Sequence, residues 1–109
     1  MKHKITLPQL KKYDITQKVI MALADAESRV ILFSIIRKGK TASDLSGSLK
    51  IPLSSVYKKL SDLENLTLVR VEKTILSEKG RRFKIYRSRI NKAEISIKKP
   101  EPTLSLSAN

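Results

Sequence analysis

The sequence predicts a mostly α-helical domain closed by a small β-hairpin: four helices and then two strands, α-α-α-α-β-β, with room for one more C-terminal strand. Three observations carry that expectation. Apolar residues recur at helical spacing from Ile15 to Leu63 and change to alternation from Thr67 onward. Asp, Thr and Pro stand where helices start, each able to satisfy or dispense with an orphan amide. The 109 residues, 40% apolar and 30% charged, suit a single folded domain with one core.

Residues 1–12 carry Lys2, Lys4, Lys11 and Lys12 without an acid and are interrupted by Pro8, which reads as a basic N-terminal arm. The folded domain is expected over 13–98, with no internal repeat. Its first helix opens at Asp14, with Gln17 three positions on as a capping box, and carries the stripe Ile15, Val19, Ile20 and Leu23. That stripe is either core or a dimer seam. The second reading names Ile15, Val19 and Leu23 as interface, because a domain this small buries an extra apolar stripe only by pairing it.

Asp25 caps the second helix, with Glu27 against the positive end of its dipole. The helix should run over 29–37, with Val30, Ile31, Leu32, Phe33, Ile35 and Ile36 making it apolar on most sides and therefore central. Gly39 is expected to stop it. Thr41 and Asp44 form the capping box of a short third helix that buries Leu45 and Leu49. The fourth helix, about 52–65, opens on Pro52 and turns Val56, Leu60 and Leu63 inward, with Ser54, Ser55, Tyr57, Lys58 and Lys59 on the other side.

In the first strand Val69, Val71, Lys73 and Ile75 share one face, and Leu68, Arg70, Glu72 and Thr74 the other. A turn at 77–80, with Gly80 at positive φ, leads into a second alternating run over 83–87 and completes a hairpin. Residues 94–97 read as a third strand, with a helix over 90–97 as the alternative. Pro100 and Pro102 mark a flexible tail over 99–109.

Charge narrows the function. The chain has 23 Lys and Arg against 10 Asp and Glu, a net +13 that a small domain tolerates best beside a polyanion. It lacks cysteine, which excludes disulfides, zinc-thiolate sites and thiol nucleophiles. The longest apolar stretch, 30–36, is interrupted by Ser34 and is too short to cross a bilayer. The N-terminus lacks the apolar run of a signal peptide, so a cytoplasmic location is expected. The single histidine is His3, the acids sit mostly at helix starts, and no GxGxxG, GxxxxGK[ST] or HExxH motif occurs. The chain is therefore not expected to be an enzyme or to hold a metal or cofactor, and no signature names a small-molecule effector.

What remains is a short helix, a tight connection, a helix with a polar and basic outer face, and a basic hairpin. A helix presenting Ser, Tyr and Lys fits the major groove of duplex DNA, and a hairpin beside it reaches the neighbouring backbone. From Lys79 to Lys92 the sequence places Lys79, Arg81, Arg82, Lys84, Arg87, Arg89 and Lys92 without one acid.

The segments Ala22-Leu23-Ala24-Asp25, Thr41-Ala42-Ser43-Asp44-Leu45 and IPLSSVYKKLSDLENLTLV, spread over about residues 13–90, resemble the ArsR-type winged helix-turn-helix regulators of bacteria and archaea. The resemblance implies a homodimeric, DNA-binding transcriptional regulator. It implies base contacts from Leu53, Ser54, Ser55, Tyr57 and Lys58, phosphate contacts from Thr41, Lys50 and Lys59, and a wing at about 75–84 whose tip carries Lys79, Arg81 and Arg82 to phosphate. The chain departs from that pattern in three ways: it has no thiolate metal ligands, Thr67 stands where relatives commonly have Gly, and 90–97 replaces the usual C-terminal dimer helix.

Blander readings accompany these. Tyr57 is otherwise a rim residue, Lys58 and Lys59 a solvated face, and Arg81 and Arg82 guards of a strand edge. A low-specificity nucleic-acid binder and a winged-helix protein-interaction module are the alternatives to a sequence-specific regulator.

Overall fold

The computed structural model describes residues 7–109, with side chains from residue 15 onward. Four helices precede four strands: α1 (Leu7–Ala24), α2 (Ala26–Ser34), α3 (Ala42–Leu49), α4 (Leu53–Asn65), β1 (Val69–Leu76), β2 (Arg82–Ser88), β3 (Ile90–Ser96) and β4 (Thr103–Ala108). The strands make two separate antiparallel hairpins, β1–β2 and β3–β4. The chain is thus a mixed α/β fold and carries more strand than the expected mostly helical class.

Both ends differ from the sequence expectation. Residues 7–12 are the first turns of α1, so Asp14 lies inside a helix and not at its cap. Pro8 is no obstacle there, because a first-turn residue has no intrahelical use for its N–H. Residues 1–6 of the expected arm lie outside the described residues. At the other end the tail is β4, whose Leu104 and Leu106 pair with Ile95 and Ala93 of β3. The two prolines fall in the connection, where neither removes a ladder hydrogen bond.

The caps at Asp25 and Thr41 form as the sequence indicates. Asp25 accepts from the amide of Ser28 at 3.0 Å and from its hydroxyl at 2.7 Å. Thr41 accepts from the amide of Asp44 at 3.0 Å, and the Asp44 carboxylate reaches back to the Thr41 amide at 3.5 Å. Arg29 donates to the Leu23 carbonyl at 2.7 Å, closing the end of α1 from the next helix.

The core gathers Val19 and Leu23 of α1, Ile31 and Leu32 of α2, Ile35, Leu45 of α3, Val56, Leu60 and Leu63 of α4, and Leu68, Val69 and Tyr86 from the β1–β2 region. Val19 and Leu23 are therefore not a dimer seam, because both are spent on the monomer core and only Ile15 of the proposed trio is exposed. Val30 and Phe33 are exposed too, so α2 is buried on one side only.

α2 stops at Ser34, earlier than the sequence suggests, and the reason is tertiary. The backbone amide of Ser88 takes the Ile35 carbonyl at 3.0 Å, and Arg87 Nε and Asn109 Nδ2 both donate to Ile36 O. Carbonyls that would have received the next helical turn are thereby satisfied by β2 and the end of β4. Residues 35–40 instead approach β2, where Lys40 exchanges both backbone hydrogen bonds with Tyr86 at 3.1 and 2.9 Å. Gly39 is needed for that approach and not as a helix stop, since a Cβ there would lie 2.6 Å from Ile85 Cγ2.

α4 ends at Asn65, and the next residues close it. The Thr67 amide bonds Glu64 O and the Leu68 amide bonds Leu63 O, both at 2.9 Å, which is the Schellman pair. Thr67 adopts φ 61°, the left-handed conformation that favours glycine. Leu63 and Leu68, each 1% exposed, supply the apolar contact of the motif and set the direction in which β1 leaves α4.

Candidate nucleic-acid interface

α3 and α4 meet at Lys50 in the left-handed conformation, buried Ile51, and Pro52 as the N-cap of α4. Because Val56, Leu60 and Leu63 hold α4 against the core, Leu53, Ser54, Tyr57, Lys58 and Ser61 are exposed. The β1–β2 hairpin stands beside them. Its tip is ordered by the Gly80 amide to Ser77 O at 2.9 Å and the Arg81 amide to Ser77 Oγ at 3.0 Å, with Gly80 at φ 76°.

The residues named from the sequence separate into three groups. Tyr57 shares a cavity with Thr41, Ser43, Arg82 and Lys84. Ser55 and Lys58 lie on the other flank of α4, along a broad groove of about 950 Å³ shared with Ile15, Met21 and Glu27. Leu53 and Ser54 are exposed at the start of α4, Lys50 is exposed at the end of α3, and Lys79 and Arg81 stand at the hairpin tip.

Lys59 is turned inward to protein partners. Its ammonium lies 2.6 Å from Asp25 and 3.7 Å from Glu27, tying α4 to the start of α2. The Lys59 hydrogen bond, followed by those from the Ser28 hydroxyl and amide, lowers the Asp25 carboxyl to about 2, while Asp25 raises Lys59. A cation so engaged is a structural strap, and the expected phosphate contact would have to break it.

The run of cations from 79 to 92 is not uniformly free. Arg87 donates to Glu72 at 2.9 Å, which lowers the Glu72 carboxyl, and Lys92 meets Glu94 at 2.8 Å. The bulge between Val71 and Lys73 is where Glu72 stands, so a local slip in register delivers that acid to Arg87. Lys79, Arg81, Arg82 and Lys84 make no ion pair with the described residues. With Arg89, which is exposed and likewise makes no ion pair, they are the charge of this run left for a partner.

Sequence reasoning passed over Ser43, Lys84 and Tyr86 as site residues. The signal was available in the period of β2, which places residues 82, 84 and 86 on one face. No helix among the described residues is long and apolar enough to cross a membrane. No family model matches the chain, and no curated protein is significantly similar to it.

Proposed function

We propose that this chain is a cytoplasmic, duplex-DNA-binding transcriptional regulator of winged helix-turn-helix type, similar in plan to the ArsR-type regulators. In this reading α3 and α4 are the helix-turn-helix, α4 reads base edges through Ser54, Ser55, Tyr57 and Lys58, and β1–β2 is the wing. The observation that carries it is the unpaired charge of Lys79, Arg81, Arg82 and Lys84 on a hairpin beside the exposed polar side of α4. Exposed cations without carboxylate partners, next to a helix of groove-compatible width, match what a phosphate backbone requires.

The active form in this reading is a homodimer, and its seam moves from Val19 and Leu23 to the surface the monomer leaves open. On β3–β4, Ala93 and Leu104 pack against the core, and of the same face Ile95 and Leu106 remain 42% and 40% exposed. Ile97 beyond them is 74% exposed, and α1 adds Ile15 and Met21 at 60% and 63%. Together these offer on the order of 500 Å² of apolar surface, enough for the centre of an interface between two copies.

The deciding experiment is selection of bound fragments from the source genome followed by competition with random duplex. Enrichment of one palindrome with discrimination of ~10³ or more supports a dimeric specific regulator. Tight, salt-sensitive binding without discrimination assigns the low-specificity alternative, and absence of duplex binding removes the DNA reading altogether.

A further inference from the structure

A two-stranded hairpin has two open edges, and each leaves the N–H and C=O of every second residue without a ladder partner. In β4 the direction is fixed by Asn109, whose amide bonds the Arg89 carbonyl beside β3. Alternation along the strand then turns residues 103, 105 and 107 toward β3 and directs the backbone groups of Leu104, Leu106 and Ala108 outward. Those three amides have no acceptor among the described residues. Every residue of β4 except Leu104 is exposed.

An open edge is a template for another strand, and proteins ordinarily block it with charge, proline or a bulge. Three of the four described strands follow that rule. β1 carries Arg70, Glu72 and Lys73 and a bulge after Val71, β2 carries Arg82, Lys84 and Arg87, and β3 carries Lys92 and Glu94 and a bulge after Ile90. β4, Thr-Leu-Ser-Leu-Ser-Ala, has no charge, no proline and no extra residue on its own side of the ladder.

Charge selects the occupant of this edge. Two copies, each with a net +13, repel wherever their basic surfaces approach, so a contact between them has to fall on an uncharged segment. An acidic partner, which such a chain attracts, finds no cation in β4. The strand is also complementary to itself. Paired antiparallel about a two-fold axis at Ser105, Leu104 of one copy stands opposite Leu106 of the other on the apolar face, and Thr103 stands opposite Ser107 on the polar face. In that register the outward groups of Leu104 and Leu106 meet and exchange both of their backbone hydrogen bonds. Ile95 and Leu106, half-buried in one copy, continue the apolar face across the joint.

We propose that a second copy of this chain adds its β4 to this edge, making one antiparallel sheet ordered β3–β4–β4–β3 across a two-fold axis. Association closes at two copies, because the outer edges of that sheet are the bulged and charged β3 strands. The joint rests on the homodimer of the regulator reading and names the contact that forms it, and it needs no DNA.

The test is sedimentation of the full chain over a concentration series, alongside Ser105→Lys, Ser105→Glu and an equal mixture of the two. The parent should pass from monomer to dimer, and solvent exchange of the Leu104 and Leu106 amides should slow over the same concentrations. Either variant sets two like charges face to face at the axis and should raise the dimer dissociation constant about fivefold. The mixture should return to the parental value or below it, because lysine then stands opposite glutamate. Ser105 is exposed, so both variants should keep the fold, and the exchange measurement on the parent needs neither of them. A parent monomeric at every concentration overturns the joint and leaves the edge to a strand of another protein. Open polymers overturn it too, as does a dimer indifferent to both substitutions with unprotected β4 amides, which moves the seam to Ile15 and Met21. Duplex binding is measured separately: a β4 dimer that binds no duplex keeps the joint and ends the DNA reading, whereas a chain that stays monomeric on duplex does the reverse.

Discussion

Replacing Thr67 by Gly should stabilise the protein, and the structure gives the size of the effect. Thr67 occupies the left-handed position of the Schellman closure of α4, at φ 61°. An L-residue there pays about 1–2 kcal/mol, toward the upper end for a β-branched side chain whose Cγ2 crowds the backbone. Glycine removes that strain but costs ~0.4–1 kcal/mol through the extra freedom of the unfolded chain. The Thr67 side chain is exposed and its hydroxyl makes no hydrogen bond, so nothing else is lost. The net gain is about 1 kcal/mol, or ~4–8 °C in Tm for a domain of this size. Urea and thermal unfolding of the parent, Thr67→Gly, Thr67→Asn and Thr67→Val order the argument. Gly should rank first, Asn between Gly and the parent, and Val no better than the parent. A Gly variant equal to or weaker than the parent, with an unchanged m-value, would refute the strain account.

Three further outcomes follow from the geometry. Gly39→Ala should lose about 1–3 kcal/mol, because its Cβ would overlap Ile85 Cγ2, while Gly47→Ala in α3, with open space around it, should gain ~0.5–1 kcal/mol; denaturant midpoints check both. Asp25 has a folded-state pKa of about 2, below its ordinary 3.8, so its contribution is complete above the unfolded value and is lost as pH falls toward 2. Asp25→Asn should therefore flatten the acid side of a stability-against-pH curve, and an unaltered curve counts against the Lys59 strap. Removing Arg81 and Arg82 together should weaken cognate and random duplex alike and reduce the slope of log K against log salt by ~2; unchanged binding and slope would leave the tip an ordinary solvated edge.

The parts of this protein that the sequence determined by itself are those governed by neighbours a few residues apart. The Asp25 and Thr41 caps, the α4 stripe of Val56, Leu60 and Leu63, and the positive φ of Gly80 each need only local chemistry, and each was legible. The strands over 69–88 were legible for the same reason, since a period of two is written along the chain. The end of α2 was not, because Ile35 and Ile36 leave the helix to give their carbonyls to Ser88, Arg87 and Asn109, more than fifty residues away. Distance along the chain also hid β4, an alternating Thr-Leu-Ser-Leu run that becomes a strand by pairing with β3.

The candidate site divides along the same line. Composition revealed that the basic hairpin exists, but only the folded chain decided which cations remain available. Lys59, Arg87 and Lys92 are neutralised by Asp25, Glu72 and Glu94, whereas Lys79, Arg81, Arg82, Lys84 and Arg89 are not. Charge is a property of the residue, whereas its availability depends on which carboxylates the fold brings within about 4 Å, the range in which an ion pair forms. The period of β2 puts residues 82, 84 and 86 on one face, but that they meet Thr41, Ser43 and Tyr57 is not written in the sequence, because those walls come together only when the core closes.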